Sequence, residues 1–93
     1  QDAFVGWQRQ ERSYLGPIAT LLRPGGHLVA VVGDSALAGR ALRANKCLME
    51  SADAVGLRFV ASASQERPAP RGPAGEVFAE EPRREHLVAF VKN

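Results

Sequence analysis

The chain is poor in cysteine, aromatic residues and net charge, and each shortage excludes something. One cysteine, Cys47, in 93 residues rules out an internal disulfide and any thiolate-cluster metal site. No apolar run approaches ~20 residues and nothing reads as a secretory signal, so neither a spanning helix nor export is indicated, and a reducing cytoplasm is the expected setting. The formal net charge is only +2, so composition gives no support for a nucleic-acid or membrane surface. Two histidines, His27 and His86, each open a predicted strand with no third ligand at metal spacing, and zinc is not expected. No Gly-x-Gly-x-x-Gly occurs, and Gly25-Gly26 precedes a strand where a phosphate or cofactor cradle would follow one.

The remaining composition is that of a folded domain, with 45% apolar and 24% charged residues. A domain this small buries only somewhat over ~60% of the surface its unfolded chain exposes. The chain starts at Gln1 with no initiator Met, which is expected of a processed product or a piece of something longer.

Gln1 to Gly6 give weak signals, with Phe4, Val5 and Trp7 as possible anchors on a neighbouring surface. Tyr14, Ile18, Leu21 and Leu22 are spaced as one helical face and predict a helix over 8–22. Pro17 either kinks that helix or sits in the first turn of a later one capped by Ser13. Pro24 then forbids continuation, and Gly25-Gly26 is expected to supply positive φ angles for a reversal.

His27 to Val32 is nearly continuous in branched apolar residues, the pattern of a strand (27–33) covered on both faces and paired on both sides. Ala36 to Ala44 reads equally as helix or structured loop. A helix over 45–55, capped by Asn45 and stopped by Gly56, leads to a strand over 57–64. There Leu57, Phe59, Ala61 and Ala63 form the apolar face and mark an edge position. Residues 65–84 hold four of the six prolines and nearly balanced charges, and read as a long exposed, solvated loop. The last strand, 85–91, is apolar on both faces and therefore interior.

Burial then dictates the arrangement: three strands in the order first, third, second, the last antiparallel to both neighbours, with two helices in an α/β fold. His27 to Val32 would lie at an open edge without the charges or prolines that protect natural edges. A missing partner strand is the natural expectation.

Small polar residues follow a buried strand directly only at Gly33-Asp34-Ser35, and in open α/β sheets ligands gather beyond the carboxyl ends of strands. The run Leu22-Arg23-Pro24-Gly25-Gly26-His27-Leu28-Val29, ending in Val31-Val32-Gly33-Asp34-Ser35, resembles the entry to and exit from the fifth strand of class I S-adenosylmethionine-dependent methyltransferases. The likeness is greatest to the group that includes the bacterial DNA N4-cytosine and N6-adenine methylases.

The resemblance covers most of the chain and implies the carboxyl-terminal half of a Rossmann-like sheet, whose final strand inserts beside the fifth. It implies methyl transfer from S-adenosylmethionine, with the rest of the methyltransferase domain as partner and a nucleic acid as possible substrate. The cofactor cradle and the family's Asn/Asp-Pro-Pro-aromatic tetrapeptide would lie before Gln1, so no residue here inherits a catalytic role. It places Gly33, Asp34 and Ser35 on the substrate side of the cleft. Asp34 would accept hydrogen bonds from a base or a loop amide, or else merely cap the Ala36-Leu37 backbone.

Arg40, Arg43 and Lys46, at intervals of three, would share a side near substrate phosphates or form a solvated face. Cys47 is expected to be a packed thiol, and Trp7 and Tyr14 to be core residues before they are base-stacking ones. An RNA or small-molecule acceptor stays open. So does a noncatalytic module that recruits a partner by strand addition along the uncovered edge.

Overall fold

A proline that cannot stay helical and two glycines after it fix where the first helix ends and the first strand begins. In the computed structural model, which describes residues 2–37 and 39–93, helix α1 runs over Asp2–Leu21 and strand β1 over His27–Gly33. Of the two turn glycines Gly25 alone has positive φ, at 83°, whereas Gly26 is needed for space, since a Cβ there would lie 2.9 Å from the Arg23 carbonyl oxygen. The turn is sewn to the last strand: Gly25 N–H donates to the Lys92 carbonyl (2.9 Å) and Lys92 N–H to that of Gly26 (2.9 Å).

The rest follows as β2 (Ser35–Leu37), β3 (Arg40–Leu42), α2 (Ala44–Ala54), β4 (Leu57–Glu66), a short α3 (Pro73–Glu76) and β5 (Arg84–Lys92). The main sheet has the order β1-β5-β4, with β5 antiparallel to both neighbours, as burial requires. Ala36 to Ala44, which reads equally as helix or loop, holds neither alone: its described residues contribute to the antiparallel pair β2 and β3, and Ala44 opens α2. Gln1 and Ala38 lie outside the described residues, as do the side chains of Asp2, Ala3 and Phe4 and with them the expected anchoring by Phe4.

Two corrections concern α1. It is one continuous helix with Pro17 inside, and Ser13 does not cap it; its hydroxyl donates instead to the Gln10 carbonyl at 2.6 Å. Its buried stripe is Glu11, Leu15 and Ala19 rather than Tyr14, Ile18 and Leu21, which stay exposed. The reason is the neighbour: α2 meets α1 one position away from the most apolar stripe, bringing Leu15 and Ala19 against Leu48, Ala52, Leu57, Val88 and Phe90. Helix α2 starts at Ala44 with Arg43 before it, so Asn45 is not the cap, while Gly56 (φ 83°) ends it as expected and sends Leu57 into the core.

Glu11 enters this helix interface and accepts a hydrogen bond from Ser51 at 2.8 Å. Burial pushes its carboxyl above the usual range, and the Ser51 hydroxyl offsets this only in part. A raised folded-state pKa means the ionised form is penalised above it and the penalty vanishes below the unfolded value. Glu11→Gln, which keeps the acceptor for Ser51, is therefore expected to raise the melting temperature at pH 7 and to leave it unchanged near pH 4. Thermal unfolding at the two pH values checks this.

Strand β4 holds the most consequential irregularity. Phe59 pairs with Phe90 but Ala61 pairs with Ala89, so Val60 is an extra residue, a β-bulge. The predicted single face of Leu57, Phe59, Ala61 and Ala63 is thereby broken. Leu57 and Phe59 face the helices, the Phe59 and Phe90 rings meeting edge to face at 6.4 Å. Beyond the bulge Ser62 and Ser64 take over that side, and Ala61 and Ala63 turn to the other.

That other side is bare. Val31, Leu87 and Ala63 share one register row, and Val29, Ala89 and Ala61 the next. No described helix covers them, so β1 is enclosed on one face only and paired on one side only, although its sequence predicts enclosure all round: Val29 is 57% and Val31 63% exposed. β4 is the other edge, and β5 is central as expected.

Candidate functional site

The end of β1 is where polar chemistry concentrates, and its centre is Asp34, whose side chain is 0% exposed. Every acceptor position of its carboxylate is filled from within the chain. Oδ1 accepts from the Ala44 N–H (3.0 Å) and from His86 Nε2 (2.8 Å), and Oδ2 from Arg43 Nη1 (2.8 Å) and the Arg84 N–H (3.1 Å). Burial alone pushes this carboxyl up; the hydrogen bonds from His86, Arg43, Ala44 and Arg84 outweigh it and hold the group below its ordinary value. Asp34 thus supplies from outside the cap that α2 lacks in its own sequence, placing negative charge at a helix N-terminus.

Arg43 is the second hub. Besides Asp34 it donates to the carbonyls of Pro82 (2.8 Å) and Glu81 (3.0 Å), and its guanidinium stacks 5.3 Å over the Phe78 ring. Phe78 is buried beneath it. Arg83 closes the other side through Nε to the Asp34 carbonyl at 2.9 Å. Residues 67–74 are exposed, as their composition suggests, whereas the stretch from Phe78 to Arg84 is a strap fastened over the exit of β1.

Of the five residues expected to touch substrate, the structure brings Gly33, Asp34, Ser35 and Arg43 together and leaves Arg40 exposed on β3. Asp34 does not cap Ala36-Leu37, and it presents no free acceptor to solvent; its role, with that of Arg43, is to hold the strap. Gly33 leaves the room Arg83 needs, since a Cβ there would stand 3.2 Å from its Nη2. Ser35 Oγ lies 3.5 Å from the Gly33 carbonyl, a weak contact. Arg40, Arg43 and Lys46 do not form one stripe: only Lys46 is helical, and Arg43 turns inward.

His86 is the residue the sequence reading undervalued, treating it as a strand end. It is 3% exposed and bridges Asp34 to Ser64, with Nδ1 2.6 Å from Ser64 Oγ. Since the ionised Asp34 only accepts, His86 donates through Nε2, and in the neutral ring this leaves Nδ1 as an acceptor for the Ser64 hydroxyl proton. The signal was partly present, because the deduced strand order puts Glu85-His86 beside Val32-Gly33. The bulge that brings Ser64 opposite was not foreseeable.

Cys47 sits in α2 with its thiol pushed up, by burial first and then by the carboxylates of Glu11, Glu50 and Asp34, which leaves it protonated at neutral pH. Tyr14 is half exposed and so is not a core residue. Among the described residues no group of three or more His, Cys, Asp or Glu is placed to hold a metal ion, and no helix is long and apolar enough to cross a membrane. Comparison with protein-family models, with curated proteins and with solved structures finds no match to this chain.

Proposed function

We propose that this chain is the substrate-side, carboxyl-terminal half of a class I S-adenosylmethionine-dependent methyltransferase acting in the cytoplasm, with an amino nitrogen of a DNA base as the methyl acceptor. The observation that carries the reading is the bareness of β1. The most apolar strand stands at an edge with Val29 and Val31 in solvent, and the stripe Tyr14, Ile18 and Leu21 on α1 is uncovered as well. A further part of the same domain would pair with the edge, cover the face and meet the stripe. The insertion of the reversed β5 between β1 and β4 agrees with the layout that the sequence resemblance implies.

The residues of this chain do not fit the cofactor by themselves. No glycine-rich turn follows a strand, so S-adenosylmethionine falls to the partner half, and no step of the transfer is assigned to a residue here. What this half supplies is position: the Asp34 hub fixes the exit of β1, from which Gly33 and Ser35 would border the acceptor and Arg40 would approach a substrate phosphate.

The test is on the intact protein that carries this chain. It should bind S-adenosylmethionine in calorimetry and methylate duplex DNA, and Arg40→Ala should weaken DNA binding and flatten its salt dependence with cofactor affinity unchanged. Transfer only to RNA or to a small molecule would redirect the acceptor. Absence of cofactor binding would favour the second reading, a module recruiting a partner strand along β1, which the unprotected edge also supports.

A further inference from the structure

We propose that Ser64 is a nucleophile activated by His86 and oriented by Asp34, able to take an acyl or phosphonyl group from donors with a good leaving group. The inference is independent of methyl transfer. It rests on the hydrogen-bonded series Ser64 Oγ to His86 Nδ1 (2.6 Å) and His86 Nε2 to Asp34 Oδ1 (2.8 Å), with the inner two members buried and the serine exposed.

Three features separate this from a histidine that is simply satisfied. The tautomer is imposed: Asp34 is held by four donors and can only accept, so in the neutral ring the free lone pair of His86 points at the hydroxyl, the arrangement a general base needs. The bulge creates the pairing. If the Phe59–Phe90 register ran on with Val60 paired, Ala63 would stand opposite His86 and Ser64 would face the other way; with Val60 looped out, Ser64 pairs with His86.

The backbone is also suitably turned. Arg67 N–H donates to the Arg83 carbonyl, so by antiparallel alternation the Ser64–His86 pair is one of the close, non-hydrogen-bonded pairs. The N–H of Ser64 therefore points to the outer side of β4, where the sheet has no further strand among the described residues. That N–H is placed to receive an oxyanion formed at the serine.

The step balances without further reagents. With an aryl ester, Ser64 Oγ attacks the carbonyl carbon while its proton moves to His86 Nδ1. The bond to the aryl oxygen then breaks as His86 passes that proton to it, and the phenol leaves. Water adds to the acyl-serine, giving its proton to His86; the C–Oγ bond breaks, the carboxylic acid departs and the serine is reprotonated. With a fluorophosphonate the Oγ–P bond forms, fluoride leaves and the adduct persists.

The experiment is labelling of the folded protein with a fluorophosphonate, with the site located by peptide mass spectrometry. Ser62, two residues away on the same side of the same strand and opposite Val88, is the internal control. Ser64 is expected to react about 100-fold faster than Ser62, at the lower end of general-base effects. Its rate should rise with pH, since only a His86 ring nitrogen free of its proton can take one from the hydroxyl. The charged groups around that histidine are Asp34 in contact, Arg43 behind it on the α2 side, and Arg84, Glu85 and Glu66 on the flanking strands.

Ser64→Ala, at an exposed position, should fold normally and lose the label. As a readout free of leaving-group demands, S64C should be alkylated by iodoacetamide at pH 6 at least tenfold faster than S62C. Equal labelling of Ser62 and Ser64, a rate that does not rise with pH, or equal alkylation of the two cysteine variants would each overturn the proposal.

Discussion

Asp34→Ala is expected to lower the melting temperature by about 15–30 °C, the largest effect of any polar substitution in this chain. The alanine leaves Arg43 facing a void and strands the Ala44 and Arg84 N–H groups and His86 Nε2 without acceptors. Removing one partner of a buried ion pair costs about 3–5 kcal/mol, and one kcal/mol corresponds to roughly 4–8 °C in a domain of this size. Asp34→Asn should recover less than half of the loss, because its amide N–H₂ must confront two donors wherever it is placed.

The pH dependence has a definite sign. A carboxyl held below its ordinary value in the folded state contributes fully above the unfolded value near pH 4 and loses that contribution as pH falls through the folded one. The gap between wild type and Asp34→Ala should therefore be constant from pH 5 to 7 and close below pH 4. Thermal melts across that range check it. A variant that melts like wild type but fails in methyl transfer would return Asp34 to direct substrate contact.

The second large effect concerns association. The chain on its own should self-associate through β1 at micromolar concentration, and the double substitution V29K/V31K should weaken that association by about 100-fold or more, a change of roughly 2.7 kcal/mol. Lysines on an edge strand are a natural guard against pairing, and at exposed positions they cost the fold little. Sedimentation velocity over a concentration series measures both species. A wild-type chain that stays monomeric at high concentration would remove the case for an unfilled edge. In an intact methyltransferase the same pair of lysines should abolish folding, since the face they occupy would be interior.

How much of this was legible in the sequence depends on whether the information was local. The Pro24-Gly25-Gly26 turn, the stop at Gly56 and the unbroken apolar run of β1 are written in adjacent residues, and the order β1-β5-β4 followed from matching polar faces to edges. The stripe of α1 was misjudged because which side of a helix is buried depends on where its neighbour lands. Leu15 and Ala19 won over Tyr14 and Ile18 through contact with α2, not through hydropathy.

The exposed run 67–74 agrees with its composition, but the strap over 78–84 does not, because its order comes from Arg43, about forty positions upstream, reaching Pro82 and Phe78. Composition cannot report a partner that distant. For the site, the polar exit Gly33-Asp34-Ser35 is written in adjacent residues at the end of β1. That Asp34 is spent on holding, and that His86 and Ser64 complete the constellation, required the antiparallel register.

The additional residue at Val60 resets the odd and even counting of β4. Since neighbouring positions on a strand look in opposite directions, a ladder that ran on from Phe59–Phe90 with every residue paired would turn the alanines toward the helices and the serines away from them. Looping one residue out restores the serines to the side of His86. Loss of that one codon would do the same by another route: Ala61 would still follow opposite Ala89 and Ser64 opposite His86, in a straight ladder without the kink.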